Sequence, residues 1–358
     1  MKAATAVIDL TALRNNLKQL KLMANQSKVL AVVKANAYGH GLVQIAHALD
    51  AADAFGVARI EEALALRSGG IVKPIILLEG FFNASDIPVL EANNIQTAVH
   101  NLEQLQALEQ SNIEGQIKTW LKLDTGMHRL GVHQDEFASF LCRLQQCSRV
   151  FQPVNVMTHF SRADELDQDY TKLQIARFLA STKDVTGKCS LANSAGVIAW
   201  PDAHGDLIRP GIALYGVSPF ADQQGKDHQL TPVMRLTSCL IAVRKHLQGE
   251  PVGYGGSWVA QRDTRLGVVA IGYGDGYPRN APAGTPVFVN GRIVPIVGRV
   301  SMDMLTVDLG PDSQEVMGDE VVLWGPELPV EDVANAIGTI AYELVTKLTQ
   351  RVDLSYQG

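Results

Sequence analysis

The chain has 358 residues, 46% of them hydrophobic and 19% charged, a length that suggests two domains and a composition ordinary for a soluble globular protein. Its 31 basic and 37 acidic residues give a net charge of -6, which argues against nucleic-acid or polybasic membrane binding. The amino terminus lacks the long uncharged core of a signal peptide and no run of ~18 apolar residues occurs, so a cytoplasmic protein is expected. Cysteines 142, 147, 189 and 239 follow no paired metal spacing and read as reduced thiols, so no metal is expected.

After an opening helical pattern from 11 to about 24, apolar strand candidates occur near 29–34, 54–58, 75–78, 95–99, 117–123, 150–157, 189–192 and 206–209. Helical patterns at 42–49, 61–67, 102–108, 136–144 and 173–179 lie between several of them. Eight strands with intervening helices over about 200 residues fit a (β/α)8 TIM-type barrel; an open doubly wound sheet is the alternative, though it would usually have fewer strands. From about 231 the texture changes to short β-type runs at 236–243, 266–271, 287–289, 293–297, 305–307 and 316–323, separated by Gly, Pro, Asn and Asp. That pattern predicts a mainly antiparallel β domain, with a polar linker at 221–227 and a closing helical stretch from 330 to about 348. The expected division is therefore a barrel over 1–230 and a β domain over 231–358.

Several common signatures are missing, among them a G-x-x-x-x-G-K-[ST] phosphate loop and H-E-x-x-H, and Ala192-Asn193-Ser194-Ala195-Gly196 lacks the first glycine of a nucleophile elbow. The polar residues that remain fall at strand ends. Lys34 closes the run Val29-Leu30-Ala31-Val32-Val33 and is followed by Ala35-Asn36-Ala37-Tyr38-Gly39-His40-Gly41. A half-buried amine at the carboxyl end of a barrel strand loses solvation and becomes a usable nucleophile or Schiff-base former. Lys122 and Arg129 follow the fifth strand, His159 the sixth, Asn193-Ser194 the seventh and Arg209-Pro210-Gly211-Ile212 the eighth. A hydroxyl after strand seven and a glycine with free backbone N–H groups after strand eight match the recurrent phosphate site of such barrels. Together, an amine and a phosphate cradle imply a phosphorylated aldehyde, and pyridoxal 5'-phosphate fits that pairing. In the β domain, Val252-Gly253-Tyr254-Gly255-Gly256 and Gly272-Tyr273-Gly274 set tyrosines among glycines, where a hydroxyl can act as acid or base or the ring can simply anchor a hairpin.

The ordered set resembles alanine racemase over nearly the whole chain. It is carried by Ala31-Val-Val-Lys34-Ala-Asn-Ala-Tyr38-Gly-His-Gly41, Leu121-Lys-Leu-Asp-Thr-Gly-Met-His-Arg129, Met157-Thr-His159-Phe-Ser161, Asn193-Ser194-Ala195, Arg209-Pro-Gly211-Ile212, Gly253-Tyr254-Gly255, Gly272-Tyr273 and Ser301-Met302-Asp303. The resemblance implies that Lys34 carries pyridoxal phosphate as an imine and acts as base or acid on the D-alanine face. Tyr254, from the other subunit of a homodimer with shared sites, would do so on the L-alanine face. Two bases on opposite faces are what racemisation requires, because one base returning a proton to its own face restores the starting enantiomer.

By the same resemblance Tyr38, Asn193, Ser194, Gly211 and Ile212 belong to the cofactor site, with phosphate contacts from Tyr38, Ser194, Gly211 and Ile212. His159 would lie against the ring and Arg209 would face the pyridine nitrogen. Arg129 with the Met302 backbone would receive the substrate carboxylate, with Tyr273 beside them. The lysine matching Lys122 is often carbamylated in the family, and the carbamate could pair with Arg129. One departure is expected at Gln350, the position after Tyr342-Glu343-Leu344 aligned with a tyrosine that touches the phosphate in some members. D-Alanine for peptidoglycan, or its degradation, would be the physiological outcome. A racemase of broader amino-acid scope is the main alternative, separable by turnover of lysine, arginine and serine; a non-catalytic pyridoxal-phosphate carrier is the second, separable by an enantiomer assay.

Overall fold

The computed structural model describes residues 3–24 and 26–358. Its first strand, β1 (Thr5–Asp9), runs directly into helix α1 (Leu10–Met23). Asp9 makes that junction: its carboxylate accepts from the backbone N–H groups of Thr11 and Ala12, both at 2.9 Å, and so satisfies two donors that the first helical turn leaves open.

The eight strand candidates of the first two thirds all become strands of one parallel sheet. They are β2 (Lys28–Val32), β3 (Ala54–Val57), β4 (Ile75–Leu77), β5 (Ile95–Val99), β6 (Ile117–Lys122), β7 (Val150–Met157), β8 (Cys189–Ser190) and β9 (Leu207–Ile208). The sheet runs from β8 through β7 to β2 in unbroken sequence and then to β9. Two backbone bonds, Asp206 N–H to Cys189 C=O at 2.9 Å and Arg209 N–H to Ala192 C=O at 2.8 Å, bring β9 against β8 and close the barrel. Helices such as Ile60–Ser68, Leu102–Gln110, Gln134–Gln146 and Tyr170–Thr182 alternate with the strands. Every residue of β3 and β4 is buried, which is why those segments read as continuous apolar runs rather than alternating ones.

The remainder is mainly antiparallel, as the change of texture near 231 predicts. Its spine is β10 (Met234–His246), which pairs with Thr264–Val269 toward one end and with Glu320–Trp324 toward the other. The closing helical stretch is two helices, Val330–Ile337 and Ala341–Thr346, parted where Gly338 takes a left-handed φ of 79°. The segment 221–227 is pinned rather than loose: the buried Glu331 carboxylate accepts from Ser218 N–H at 2.9 Å and from Gly225 N–H at 3.0 Å.

The chain's first strand lies in this second sheet, not in the barrel. β1 runs antiparallel to β10, with Ile8 opposite Met234, and parallel to Asp353–Gln357, with Ile8 opposite Tyr356. α1 then crosses back to the barrel, where Asn16 is buried and its amide bonds Leu214 C=O at 3.0 Å, Thr231 C=O at 2.8 Å and Thr231 N–H at 2.8 Å. Both ends of the chain are therefore tied into one sheet that sits against the barrel. Ile8, fully buried between its two strand partners, is the test of that arrangement. Ile8→Ala is expected to cost about 2–5 kcal/mol, read as a lower urea midpoint by tryptophan fluorescence. A midpoint equal to that of the parent protein would show that β1 is not integral to the sheet.

Candidate active site

Strand β2 ends one residue before Val33, and the backbone then does something unusual. Ala35, Asn36, Ala37 and Tyr38 hold φ of 52°, 54°, 53° and 53°, a full left-handed turn without a glycine until Gly39. Each such L-residue costs about 1–2 kcal/mol relative to its right-handed counterpart. Specific bonds hold the turn in place. The Glu62 carboxylate accepts from Ala35 N–H at 2.6 Å while its other oxygen accepts from Ala58 and Arg59 N–H, and Asn36 Oδ1 accepts from Leu42 N–H at 2.9 Å. Within the turn, Ala37 N–H reaches Val33 C=O at 2.8 Å and Gly39 N–H reaches Ala35 C=O at 3.0 Å. The result is that Lys34 and Tyr38, four residues apart, both line one cavity at the carboxyl end of the barrel.

That cavity has a volume of about 700 Å³. One wall is a cradle of donors and hydroxyls. Ser194 Oγ accepts from Gly211 N–H at 2.9 Å and from Ala213 N–H at 3.3 Å, so the segment after β8 and the segment after β9 are locked together there. Asn193 caps the helix Ser194–Ala199 by accepting from Gly196 N–H at 2.9 Å. Gly211 lets Tyr38 approach closely: a Cβ on it would run into the Tyr38 hydroxyl and force that ring to shift. Ile212, fully buried, completes this wall.

Cations dominate the rest. Lys34, Lys122, Arg129 and Arg209 all line the cavity. Arg209 is buried, and its guanidinium donates to Ser190 Oγ, to Thr158 C=O and to Leu191 C=O. Burial pulls its pKa down to about 10, which leaves it protonated at neutral pH. Lys122 is buried as well, with Leu78 C=O as a distant acceptor at 3.4 Å. Burial first, then the charges of Arg209, Arg129 and Lys34, lowers its pKa to about 8 against the opposing pull of Glu79. His159 also lines the cavity, and burial together with the same cations holds its pKa well below the usual imidazole range, so the ring is neutral. The Gly211 N–H, expected to be free, is thus taken by Ser194, and what the wall offers an anion is the hydroxyls of Tyr38 and Ser194; these, facing an amine in a positively charged cavity, suit a phosphorylated carbonyl compound with a carboxylate beside it.

The structure does not bring every expected residue to this place. Tyr254, Tyr273 and Met302 lie outside the cavity wall and are exposed, at 72%, 38% and 53%. Tyr273 and Met302 are neighbours, since Tyr273 N–H bonds Ser301 C=O at 3.0 Å and Gly274 N–H bonds Met302 C=O at 2.8 Å. Tyr254 starts a short 3₁₀ turn, Tyr254–Gly256, in the β domain. The expectation built on Gln350 needs correction. Gln350 is exposed in a turn outside the cavity, whereas Tyr342 lines it, with its ring 6.1 Å from that of Tyr38. The wall thus carries a tyrosine from the helix Ala341–Thr346, which the sequence reading set in the wrong register. Glu79 and Ile340 also line the cavity and were not singled out by the sequence.

Residues 8–219 match the family described as alanine racemase, N-terminal domain, and residues 233–356 match alanine racemase, C-terminal domain. The chain is 63% identical to the alanine racemase of Aeromonas hydrophila over 356 residues, covering 99% of this chain and 100% of that one. It is 62% identical to the alanine racemase of Yersinia pestis over 358 residues, covering 100% of both. Among solved structures, the biosynthetic alanine racemase of Pseudomonas aeruginosa superposes with a TM-score of 0.97 at 44% identity, covering 100% of both chains. The alanine racemase of Bartonella henselae, solved with covalently bound pyridoxal phosphate, does so with a TM-score of 0.91 at 32% identity, again covering 100% of both chains. Two family domains that together span the barrel and the β domain, with relatives above 60% identity over the full length, establish that the chain belongs to the alanine racemase family.

Proposed function

We propose that the protein interconverts L- and D-alanine with pyridoxal 5'-phosphate, using Lys34 and Tyr254 as bases on opposite faces of the substrate. The observation that carries this reading is the joining, in one cavity, of the Lys34 amine to a cradle of Tyr38, Ser194, Gly211 and Ile212. The residues present fit the cofactor. The hydroxyls of Tyr38 and Ser194 line the cavity and can donate to a phosphate, since Ser194 Oγ accepts from Gly211 and Ala213 N–H and keeps its own proton to give, and the surrounding cations balance the phosphate charge. When bound, pyridoxal phosphate acidifies the Cα–H of an attached amino acid by drawing off the electron pair left behind.

The chain's own residues do the remainder. Lys34 moves a proton at Cα from one side and Tyr254 from the other, so a proton removed by one group is replaced by the other and the configuration inverts. Arg209 keeps its proton near neutral pH and so would present a donor, never an acceptor, to the ring nitrogen of the bound cofactor. That withholds the positive charge on the ring that side reactions such as transamination need. His159, neutral, would lie against the ring of the bound cofactor without adding charge. Arg129, at the exposed side of the cavity, pairs with the substrate carboxylate, aided by the Met302 backbone and Tyr273.

Tyr254, Tyr273 and Met302 sit away from the Lys34 cavity of their own chain, which supports a homodimer in which each chain completes the other's site. The working division is a cofactor-binding barrel over 1–230 and a β domain over 231–358 that carries the second base, with β1 lent to the latter's sheet. Among the described residues no helix is long and apolar enough to cross a membrane, and a cytoplasmic enzyme supplying D-alanine to peptidoglycan accords with the biosynthetic role of the Pseudomonas relative.

Racemisation of L-alanine by the purified protein, with borohydride reduction and peptide mapping, tests the reading. The label is expected on Lys34, and Lys34→Ala is expected to lower racemisation by about a hundredfold to ten-thousandfold. Label on another lysine, or absence of racemisation by the native protein, would overturn it.

Lys122 carries a second expectation. A buried ammonium among three other cations is electrostatically unfavourable. Addition of its neutral amine to CO2 forms the N–C bond of a carbamate and releases a proton, turning the cation into an anion able to pair with Arg129. With a pKa of about 8, about a tenth of the amine is neutral at pH 7 and about half at pH 8. Uptake should therefore slow as pH falls below 8. Protein equilibrated with ¹³C-bicarbonate is expected to show a carbamate carbon resonance that Lys122→Ala lacks, and the variant should regain activity with added short carboxylates. No resonance at pH 8 and no rescue would refute the carbamate.

A further inference from the structure

His40 stands beside the site without lining it, and its side chain is used for something the mechanism above does not require. It is 1% exposed, and its Nδ1 lies 3.1 Å from Ala37 C=O and 2.8 Å from Tyr38 C=O. Both partners are acceptors, so Nδ1 must carry the proton and donate to the two carbonyls at once. Nε2 is buried with no hydrogen-bond partner. The ring packs on Tyr215, centroids 4.5 Å apart, and Tyr215 packs in turn on Tyr38 at 4.9 Å. The Tyr215 hydroxyl donates to Val32 C=O at 3.0 Å, at the end of β2, and the Tyr356 hydroxyl donates to His40 C=O at 3.1 Å.

These contacts converge on the left-handed turn. Ala37 and Tyr38 are its last two non-glycine residues; Ala37 C=O also accepts His40 N–H at 3.1 Å, whereas Tyr38 C=O takes its hydrogen bond from the imidazole at 2.8 Å, in a backbone already held at a cost. We propose that His40 is a positioning residue for the racemase reaction: its Nδ1–H clamps the carbonyls of Ala37 and Tyr38, and its ring, through Tyr215, sets the Tyr38 ring, fixing the Lys34 amine and the Tyr38 hydroxyl relative to each other. The imidazole stays neutral in this role, since burial takes its pKa down to about 4. Removing the donor frees the turn to relax toward the right-handed backbone, which moves the amine and the hydroxyl apart. This inference rests on Lys34 and Tyr38 holding the cofactor, yet hydrogen exchange and the tautomer report on the clamp whether or not that assignment holds.

The test uses the holoenzyme and two variants. His40→Leu keeps an apolar side chain of similar bulk and lacks the donor; His40→Asn restores an N–H close to the Nδ1 position and lacks the ring. His40→Leu is expected to speed amide exchange at Ala37, Gly39 and Gly41 by about tenfold or more and to lower kcat by about tenfold with little change in KM. His40→Asn is expected to return the exchange rates, and most of kcat, toward those of the parent. Parent-like exchange and kcat in His40→Leu, or an Asn variant no better than Leu, would overturn the clamp. Should His40→Leu fail to fold, ¹⁵N resonances of the parent protein's histidines decide: a neutral His40 protonated at Nδ1 supports the proposal, and protonation at Nε2 refutes it.

Discussion

The arrangement depends first on the hand of one turn. Between β2 and Gly39 the backbone runs left-handed for four L-residues, a conformation that local preference opposes at every step. It persists because neighbouring elements over-determine it: Glu62 from the helix after β3 binds Ala35 N–H, Gly56 of β3 accepts Val33 N–H, and the carbonyl of Val345 packs so close to Gly39 that a Cβ could not be accommodated there. A right-handed continuation would swing Tyr38 away from Gly211 and break the cradle. Strain stored in the turn is thus balanced by the barrel on one side and by the C-terminal helices on the other, which couples the integrity of the site to the docking of both parts.

Charge is the second constraint, and it follows from the first. Closing the barrel brings residues from strands β6, β7 and β9 to the space beside Lys34, and most of those that carry charge are cationic. Left alone, such a cavity would be costly to dehydrate. A cofactor phosphate, a substrate carboxylate and a carbamate on Lys122 would each place an anion where the protein's own carboxylates are already committed: of the two that line the cavity, Glu79 is engaged by Arg59 at 3.5 Å and Glu343 by Lys347 at 2.6 Å. The same field keeps His159 neutral. Affinity for anionic ligands and control of protonation therefore have a single electrostatic origin.

Much of this was legible in the sequence, for physical reasons that differ by element. The barrel strands could be read because burial on both faces demands uninterrupted apolar runs such as Ile75–Leu77. Lys34, Ser194, Arg209 and Gly211 could be read because each follows such a run. β1 could not, since Thr5–Asp9 is five residues long and finds its partners more than two hundred residues away. The hand of the turn was hidden too: Ala-Asn-Ala-Tyr contains no glycine to announce positive φ, and tertiary contacts alone impose it. Tyr342 is not picked out because aligning the expected tyrosine after Tyr342-Glu343-Leu344 lands on Gln350, eight residues past the side chain that reaches the cavity. Tyr254 was legible as a glycine-flanked tyrosine, though nothing local in it says which chain's cavity it serves.

That last question bears on the central claim, which is that Lys34 of one chain works with Tyr254 of another. Homodimers of Lys34→Ala and of Tyr254→Phe should each be severely impaired, so the informative species is the purified heterodimer of the two. If sites are shared between chains, one of its two sites carries both lesions and the other carries neither, and racemisation per dimer should recover to about half that of the parent, given independent sites. If each site is built within one chain, every site keeps one lesion, and a heterodimer no more active than the parent homodimeric variants would contradict the account.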